Sequence, residues 1–533
     1  MQKSLTLRAL ILGAILSMFV SMYSAFAGLK IGGVYWPILT TSLMSLAFLS
    51  ILGNTSKNEI NVAQTAASAG GLLAAGIIFT VPAVWILGLN LSAFEISIIA
   101  LTGGILGLLF SIPLRKEMIE EEKLPYPDGT AAASLIEAGD EKGVKSKILF
   151  SSFTLGVFFG IIRDYFKLIP SFINLDSLKI SISRFFSFGA SISLVSLAGG
   201  FLIGLRFTAA WFFGAIISYF FLLPSLVFFN FFQDKISAKI AVSMPLGIGI
   251  VIGAALAYFF IKVIPYLKKL LINFKNSSKK KISFFGLILI FFVFLLSFFL
   301  KLNLFVSIAA IIGAFIMAYI GGRITGELNV DPMEIFAMIV LILVKIFVGF
   351  SFNLIIPLIV LSAIVCVSAG IAGDFMQDLK TGFILKTNPK HQAIAQLTGI
   401  IFSSLVVGIT ILALAQTYNG FGNIDLPAPQ ALAIAQIVKA SSLEMPLILG
   451  IIFGFILTFI VSFFNLGILV VAFGIGLYAP IELSFPLFVG GIIRFFVDKA
   501  NKTDFFRLIA AGVIAGEGLA GVILSLLLFF SLI

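Results

Sequence analysis

The chain has 533 residues, 60% of them apolar and only 11% charged, with a mean hydropathy of +1.16. A soluble globular chain carries about 25% charge, so this composition excludes one and identifies a protein that crosses a membrane repeatedly. The formal charge of +11 reads as topology and contact with anionic lipid, not as nucleic-acid binding, because no basic patch is interleaved with exposed aromatics.

One cysteine (Cys366) and one histidine (His391) leave no disulfide framework, no Cys/His metal site and no Cys/His or Ser/His catalytic pair. His391 lies in a Lys-flanked polar loop and reads as solvated. Cys366 lies in an apolar run and reads as packed. The chain has no phosphate-binding Gly-x-x-x-x-Gly-Lys-Ser/Thr loop, and no HExxH or GxGD-type pair falls in a span. Direct ATP drive and intramembrane hydrolysis are therefore not indicated, and no cofactor is implied.

The first segment, MQKSLTLRALILGAILSMFVSMYSAFAG, has a basic start, and Ala25-Phe26-Ala27 imitates a signal-peptidase site. Its apolar body of about 19 residues exceeds a usual signal h-region, so it is expected to be the first transmembrane helix. Further spans are expected at 34–53, 66–89, 94–114, 147–162, 188–206, 208–229, 239–263 and 284–302. The remainder are expected at 304–320, 335–351, 353–373, 393–417, 446–464, 466–481, 483–497 and 507–531. Strand-like alternation is absent, and backbone groups in lipid must be paired internally. The expected fold is thus an all-α polytopic integral membrane protein of about 14–17 transmembrane or re-entrant helices.

Charge orients these spans. Lys3 and Arg8 precede the first, six lysines without an acid occupy 268–281, and Lys380, Lys386 and Lys390 follow the twelfth. The positive-inside rule then puts the N-terminus in the cytoplasm of a multi-pass cell-membrane protein. Arg163, Lys167, Lys179 and Arg184, in a loop counted as external, fit this rule poorly.

The Lys-rich stretch 268–283 also separates two expected halves, 1–267 and 284–533. Two echoes straddle it. NEINV (58–62) resembles GELNV (326–330), and LPYPDGTAAASLIEAG (124–139) resembles LPAPQALAIAQIVKAS (426–441). Together they favour internal duplication, a common origin of transporter folds. Span counting puts the two Pro-led copies on opposite faces, as in inverted repeats. The Glu-Ile/Leu-Asn-Val copies fall on one face, as in parallel repeats.

Four stretches carry a family resemblance: EINVAQTAASAGGLLAAGIIFTVPA (59–83), EEEKLPYPDGTAAASLIEAG (120–139), AGIAGDFMQDLKTGFILKTNPKHQAIAQLTG (369–399) and LYAPIELSFPLFVGG…IAAGVIAGEGLAGV (477–491 and 509–522). In this order they resemble the oligopeptide transporter (OPT) family, and look closest to its prokaryotic branch. The resemblance implies a proton-coupled secondary transporter of small peptides. The alternative within the same family is a carrier of metal chelates, as in its yellow-stripe-like branch. Without His or Cys ligands, bare transition metals are an unsuitable cargo. The expected partners are a small peptide or chelate, protons and membrane lipid, and a homo-oligomer is compatible with all of these.

An ionisable group inside a span costs roughly 2.5–3.5 kcal/mol on insertion scales and tends to face a cavity or a partner. Glu517 lies mid-span in AGEGLAG, Glu482 follows the break Tyr478-Ala479-Pro480, and Glu444 precedes a span in KASSLEMP. These three are the expected proton-coupling residues, with Glu482 and Glu517 foremost. Each has an alternative as a carboxylate buried for packing. Lys345, mid-span, is either a counter-ion for one of these acids or a snorkelling lysine. Asn61 and Gln64 could hydrogen-bond a peptide, or serve tight helix packing. Asp374, Gln377 and Asp378 share a helical face directly after the 353–373 span, as a gate, an amine contact or a solvated helix end. Tyr418 and Asn419 are weaker contacts of the same kind. Pro125, Pro127, Asp128 and Glu137, with Pro427 and Pro429 in the second copy, form candidate gates at two short Pro-initiated re-entrant helices.

Overall fold

The computed structural model describes residues 4–34, 37–53, 55–139, 143–174, 188–267, 290–329, 331–349, 351–439, 444–464 and 466–530. The Lys-rich linker 268–283 lies outside the described residues, as do Lys179 and Arg184. In the N-terminal part the main helices are α1 (Leu7–Ile31), α2 (Pro37–Ile51), α3 (Lys57–Ile78), α4 (Ala93–Ser111), α5 (Pro127–Ala138), α6 (Val144–Gly160), α7 (Leu194–Ile203), α8 (Leu205–Ile216) and α9 (Met244–Tyr258). Beyond the linker come α10 (Leu304–Leu328), α11 (Met333–Val348), α12 (Ile355–Leu385), α13 (Pro389–Thr417) and α14 (Pro429–Lys439). The last four are α15 (Met445–Ser462), α16 (Ile468–Tyr478), α17 (Ile481–Lys499) and α18 (Thr503–Phe529). Eleven described helices are long and apolar enough to span a bilayer, and four shorter apolar ones accompany them. The one sheet among the described residues is an antiparallel ribbon of β1 (Phe172–Asn174) and β2 (Gly189–Ser191), with Phe172 opposite Ser191. The protein is an all-α polytopic membrane protein, as its hydropathy required.

Small residues let α3 into the centre. A Cβ on Gly70 would strike the Ser17 carbonyl oxygen of α1, and one on Gly76 the Val367 backbone of α12. Gly399 of α13 meets the Ala66 carbonyl in the same way. In lipid no hydrophobic force drives helices together, so such backbone-level contacts supply the packing. With α1, α12 and α13 closed around it, every polar side chain of α3 from Glu59 to Ser68 is buried.

The directions of the helices bear on the two echoes. Arg8, at the start of α1, pairs with Glu59 at the start of α3 at 2.6 Å. Ser4 bonds His391 of α13 at 2.6 Å, so His391 is tied to the N-terminal segment. Asn329, at the end of α10, meets Gln377 and Asp128 at 2.9 and 3.0 Å, and Lys380 donates to the Leu124 carbonyl. The start of α1 and the end of α10 therefore lie at one end of the bundle, and the two helices run in opposite directions. The Pro-led helices enter from opposite ends: the Tyr126 N–H donates to Gly326 O at 3.0 Å, and the Ala428 N–H to Leu29 O at 3.1 Å. In each Pro-x-Pro the middle residue is left-handed, with φ 43° at Tyr126 and 42° at Ala428, a strained choice for a residue with a Cβ. The Glu-Ile/Leu-Asn-Val echo has no such counterpart, since one copy begins α3 and the other ends α10.

Helix pairings recur in the same inverted sense. α1 packs on α3 as α10 packs on α12, α4 on α12 as α13 on α3, and α6 on α18 as α15 on α9.

Candidate functional site

A polar cluster built mainly from α3 and α12 lies inside the bundle, toward the end where α3 starts and α5 enters. On α3, Asn61, Gln64 and Ser68 fall on one face by helical spacing. On α12, Asp374, Gln377 and Asp378 do the same. The helix expected to end near 373 runs on to Leu385, so these residues are inside it and buried, not at a solvated end. Gln64 Nε2 donates to Asp378 Oδ1 at 2.5 Å, and Asn61 Nδ2 donates to Gln64 Oε1 at 3.1 Å. The Ser68 hydroxyl lies 3.0 Å from Asp374 Oδ2 and 2.7 Å from Asp378 Oδ2, bridging the two carboxylates. Gln392 of α13 donates to the Asp378 carbonyl at 2.6 Å.

These side chains use only part of their bonding capacity. Among the described residues, Asn61 Oδ1 and Gln392 Oε1 are buried without a hydrogen-bond partner, as are both carboxylate oxygens of Asp331 in the α10–α11 connection; Asp374 Oδ1 has none within hydrogen-bond geometry, with the Gln396 amide its neighbour. Buried acceptors of this kind cost about 1–3 kcal/mol each when unpaired. No group of three or more His, Cys, Asp or Glu among the described residues has the geometry of a metal site.

Gln377 links this cluster to the first re-entrant helix. Its Oε1 accepts the Gly129 N–H at 2.7 Å, and its Nε2 donates to Asn329. Thr381 Oγ1 donates to the Gly129 carbonyl at 2.8 Å, while Asn329 also holds Asp128. A Cβ on Gly129 would collide with the Gln377 carbonyl oxygen, so α5 rests against α12 backbone to backbone. Tyr126, between Pro125 and Pro127, is fully buried and donates to Gly322 O at 2.8 Å. Glu137, farther along α5, is exposed.

At the opposite end of the bundle, Glu517 is fully buried in a second network. Arg163 Nη1 meets Glu517 Oε1 at 2.5 Å, and the same guanidinium meets both oxygens of Asp164 at 2.7 Å. Glu517 also accepts from Ser193 Oγ at 2.8 Å and from the Val195 N–H at 2.9 Å, at the start of α7. Gly156 lets α6 approach the Glu517 backbone closely enough to seat Arg163. Tyr418 lines a cavity beside this network. Asn419, next in the chain, takes a left-handed φ of 55°.

The break before Glu482 is real. α16 stops at Tyr478, Ala479 is extended, and α17 restarts after Pro480. The carbonyls it frees are satisfied: Tyr219 donates to Ala479 O at 3.0 Å and Ser243 to Leu477 O at 2.7 Å. Glu482 is buried with its Cγ against Gly189 of β2. Tyr478 donates to Pro429 O at 2.9 Å, which joins this break to the second re-entrant helix. A cavity of about 200 Å³ lies there, lined by Pro427, Pro429, Leu432, Tyr478 and Pro480. Glu444 is exposed at the N-cap of α15, apart from the central cluster. Lys345 donates to the carbonyls of Ile437 and Val438 at the end of α14, so it serves as a cation at a helix C-terminus.

Of the residues expected from the sequence, the structure brings Asn61, Gln64, Asp374, Gln377 and Asp378 into one cluster, with Asp128 at its edge. It leaves Glu444 and Glu137 outside. Sequence reasoning missed Asn329, Asp331 and Gln392 as members, and noted Ser68 only as a polar residue beside Asn61 and Gln64. It also missed Arg163 as the partner of Glu517, although a basic residue at odds with the charge rule was the signal to follow.

Comparison with known proteins agrees with the four motifs. The sequence profile of the OPT oligopeptide transporter protein family matches residues 4–284 and 278–528. A Haemophilus influenzae protein named "Putative oligopeptide transporter" is 26% identical over 94% of this chain and 92% of its own length. A Saccharomyces cerevisiae protein with the same description is 28% identical over 41% of this chain and 33% of its own. Motifs, helical architecture and profile agree along nearly the whole length, and the chain belongs to the OPT oligopeptide transporter family.

Proposed function

We propose that this protein is a secondary active transporter that takes up small peptides with protons by alternating access, in a cell membrane with its N-terminus in the cytoplasm. The observation that supports this most is the buried Asn61–Gln64–Ser68–Asp374–Asp378 cluster. Its amides and hydroxyl match the donors and acceptors of a peptide bond, and its carboxylates match an ammonium group or a proton. Two carboxylates joined by one hydroxyl in a low-dielectric interior cannot both carry charge cheaply, and a proton is the simplest neutraliser. Coupling is therefore assigned to Asp374 and Asp378. Glu517 already has a cationic partner, and Glu482 and Glu444 stand apart from the amides.

The two halves are taken as inverted repeats related by the recurring helix pairings, with α5 and α14 as gates from opposite faces. Gln377 would transmit loading of the pair to α5, because it sits one residue from Asp378 and holds Gly129. The test is proton uptake into proteoliposomes loaded with a pH-sensitive dye. Adding di- to pentapeptides outside should acidify the lumen, and metal chelates should not. Acidification by chelates alone would reverse the choice of cargo.

A further inference from the structure

The connection from α10 to α11 carries a carboxyl that the coupling pair does not use. Asn329, Asp331 and Met333 step along one face of α12, away from its Leu385 end. Asn329 bonds Gln377, Asp331 lies against Gly373, and Met333 lies against Gly370. A Cβ on Gly373 would stand 2.5 Å from Asp331 Oδ2 and 2.8 Å from Thr325 Oγ1, and one on Gly370 would strike Met333 Sδ. Both carboxylate oxygens of Asp331 are buried there with no hydrogen-bond partner among the described residues. The titratable groups close enough to act on it are Glu334 in the first turn of α11 and Asp374 and Cys366 on α12, none of them a cation. The bases of the surrounding helices are engaged elsewhere. Arg323 of α10 pairs with Glu117 and Glu122, Lys380 of α12 donates to Leu124 O, and Lys345 of α11 donates to the end of α14.

An ionised carboxylate without a partner is expensive in a low-dielectric interior, and acids nearby add to the cost. A proton removes that charge and, unlike a larger cation or a substrate group, needs no cavity. Burial, with Glu334 beside it, holds this carboxyl well above the ordinary carboxylate range. Two residues before it, Asn329 accepts from Gln377 Nε2 and from the Asp128 N–H at the start of α5, and donates to the Asp128 carboxylate. We propose that Asp331 is a proton-binding carboxyl in its own right, and that its acid form, seated on Gly373, keeps Asn329 in place and α5 closed. Loss of the proton to the cytoplasmic side puts an unpaired charge against the α12 backbone. The carboxylate is then driven toward water, Asn329 is drawn from Gln377 and Asp128, and α5 is released. This rests on the reading of α5 as a gate and adds what unlocks it: the pH on its own side of the membrane. The closed arrangement prefers the acid form, so it is most stable at low pH. It weakens by up to about tenfold per pH unit above about pH 4, until the carboxyl ionises in place.

The experiment measures backbone amide exchange across Pro127–Ala138, corrected for the intrinsic effect of pH, with the full chain in lipid nanodiscs at pH 5 and pH 7 and no peptide. Rates are taken relative to those across Lys57–Ile78 in the bundle interior, which removes any general loosening of a variant. In the wild type the relative rate should be about ten- to a hundredfold higher at pH 7. Asp331→Asn, the isostere of the neutral acid, should keep the wild type's pH 5 rate at both values. Gly373→Ala, which displaces the carboxyl, should be fast at both. Equal rates in the wild type at the two pH values, or a wild-type pH response in either variant, overturn the assignment. A response kept in Asp331→Asn but lost in the Asp374→Asn/Asp378→Asn double variant overturns it too, and places the sensor in the pair. None of these outcomes bears on peptide transport, which the uptake assay above decides by itself.

Discussion

Glu517→Gln distinguishes a structural carboxylate from a proton carrier. Glu517 accepts from Arg163, Ser193 and the Val195 N–H while fully buried. Glu517→Ala removes all three contacts and leaves Arg163 short of one counter-charge, a loss of about 3–5 kcal/mol for a broken buried pair. Glu517→Gln keeps one acceptor oxygen but turns an NH2 donor toward either Val195 N–H or the Arg163–Ser193 pair, and removes the charge, a loss of about 1–3 kcal/mol. Cys366, the single cysteine, is completely buried on α12, so its maleimide labelling reports opening of the core. At about 1.4 kcal/mol per tenfold, labelling should speed up roughly a hundred- to several-thousandfold in Glu517→Ala. In Glu517→Gln it should speed up roughly five- to a hundredfold. Uptake driven by a pH gradient, per folded molecule, should survive in Glu517→Gln. The reasoning is refuted if Glu517→Gln labels at the wild-type rate yet loses pH-driven accumulation while keeping downhill exchange. Glu517 would then be the proton carrier that its mid-span position suggested.

Three other variants probe the remaining parts. Gly129→Val drives side-chain atoms into the Gln377 carbonyl, so uptake should be lost while expression in the membrane persists; normal uptake would show that α5 need not seat against α12. Ser68→Ala removes the hydroxyl shared by Asp374 and Asp378 at a cost of about 1–3 kcal/mol; pH-driven accumulation should fall, and an unchanged rate would take the hydroxyl out of the machinery. Lys345→Ala uncaps the end of α14, worth about 0.3–1 kcal/mol at a helix terminus. Amide exchange across 429–439 should rise about two- to fivefold, and no change would mean the contact carries no weight.

Much of this was legible in the sequence because the signals are local. Hydropathy located most of the spans, although the one expected at 188–206 opens on β2 and holds only the ten-residue α7; polar residues at helical spacing in small-residue surroundings marked Asn61, Gln64 and the Asp374–Asp378 face. The Pro-x-Pro echo at 124–139 and 426–441 anticipated two short Pro-led helices; the left-handed residue in each turn came only from the structure. What stayed hidden depends on pairing across distance. Arg163 and Glu517 are 354 residues apart, and Gln64 and Asp378 are 314 apart; no periodicity encodes such partners. The end of α12 was misplaced because Asp374 and Asp378 resemble a solvated terminus until α3 and α13 are seen to cover them. The Glu-Ile/Leu-Asn-Val echo misled for the opposite reason: four similar letters begin one helix and end another.

The most direct test of the central claim is dialanine accumulation by proteoliposomes under an inward proton gradient, in the wild type and in Asp374→Asn, Asp378→Asn and the double variant. The wild type should concentrate the peptide, whereas each single variant should exchange it down its gradient without concentrating it. A double variant that still concentrates dialanine when the outside is acidified would contradict the account, since no carboxylate would remain in the pair to carry the proton.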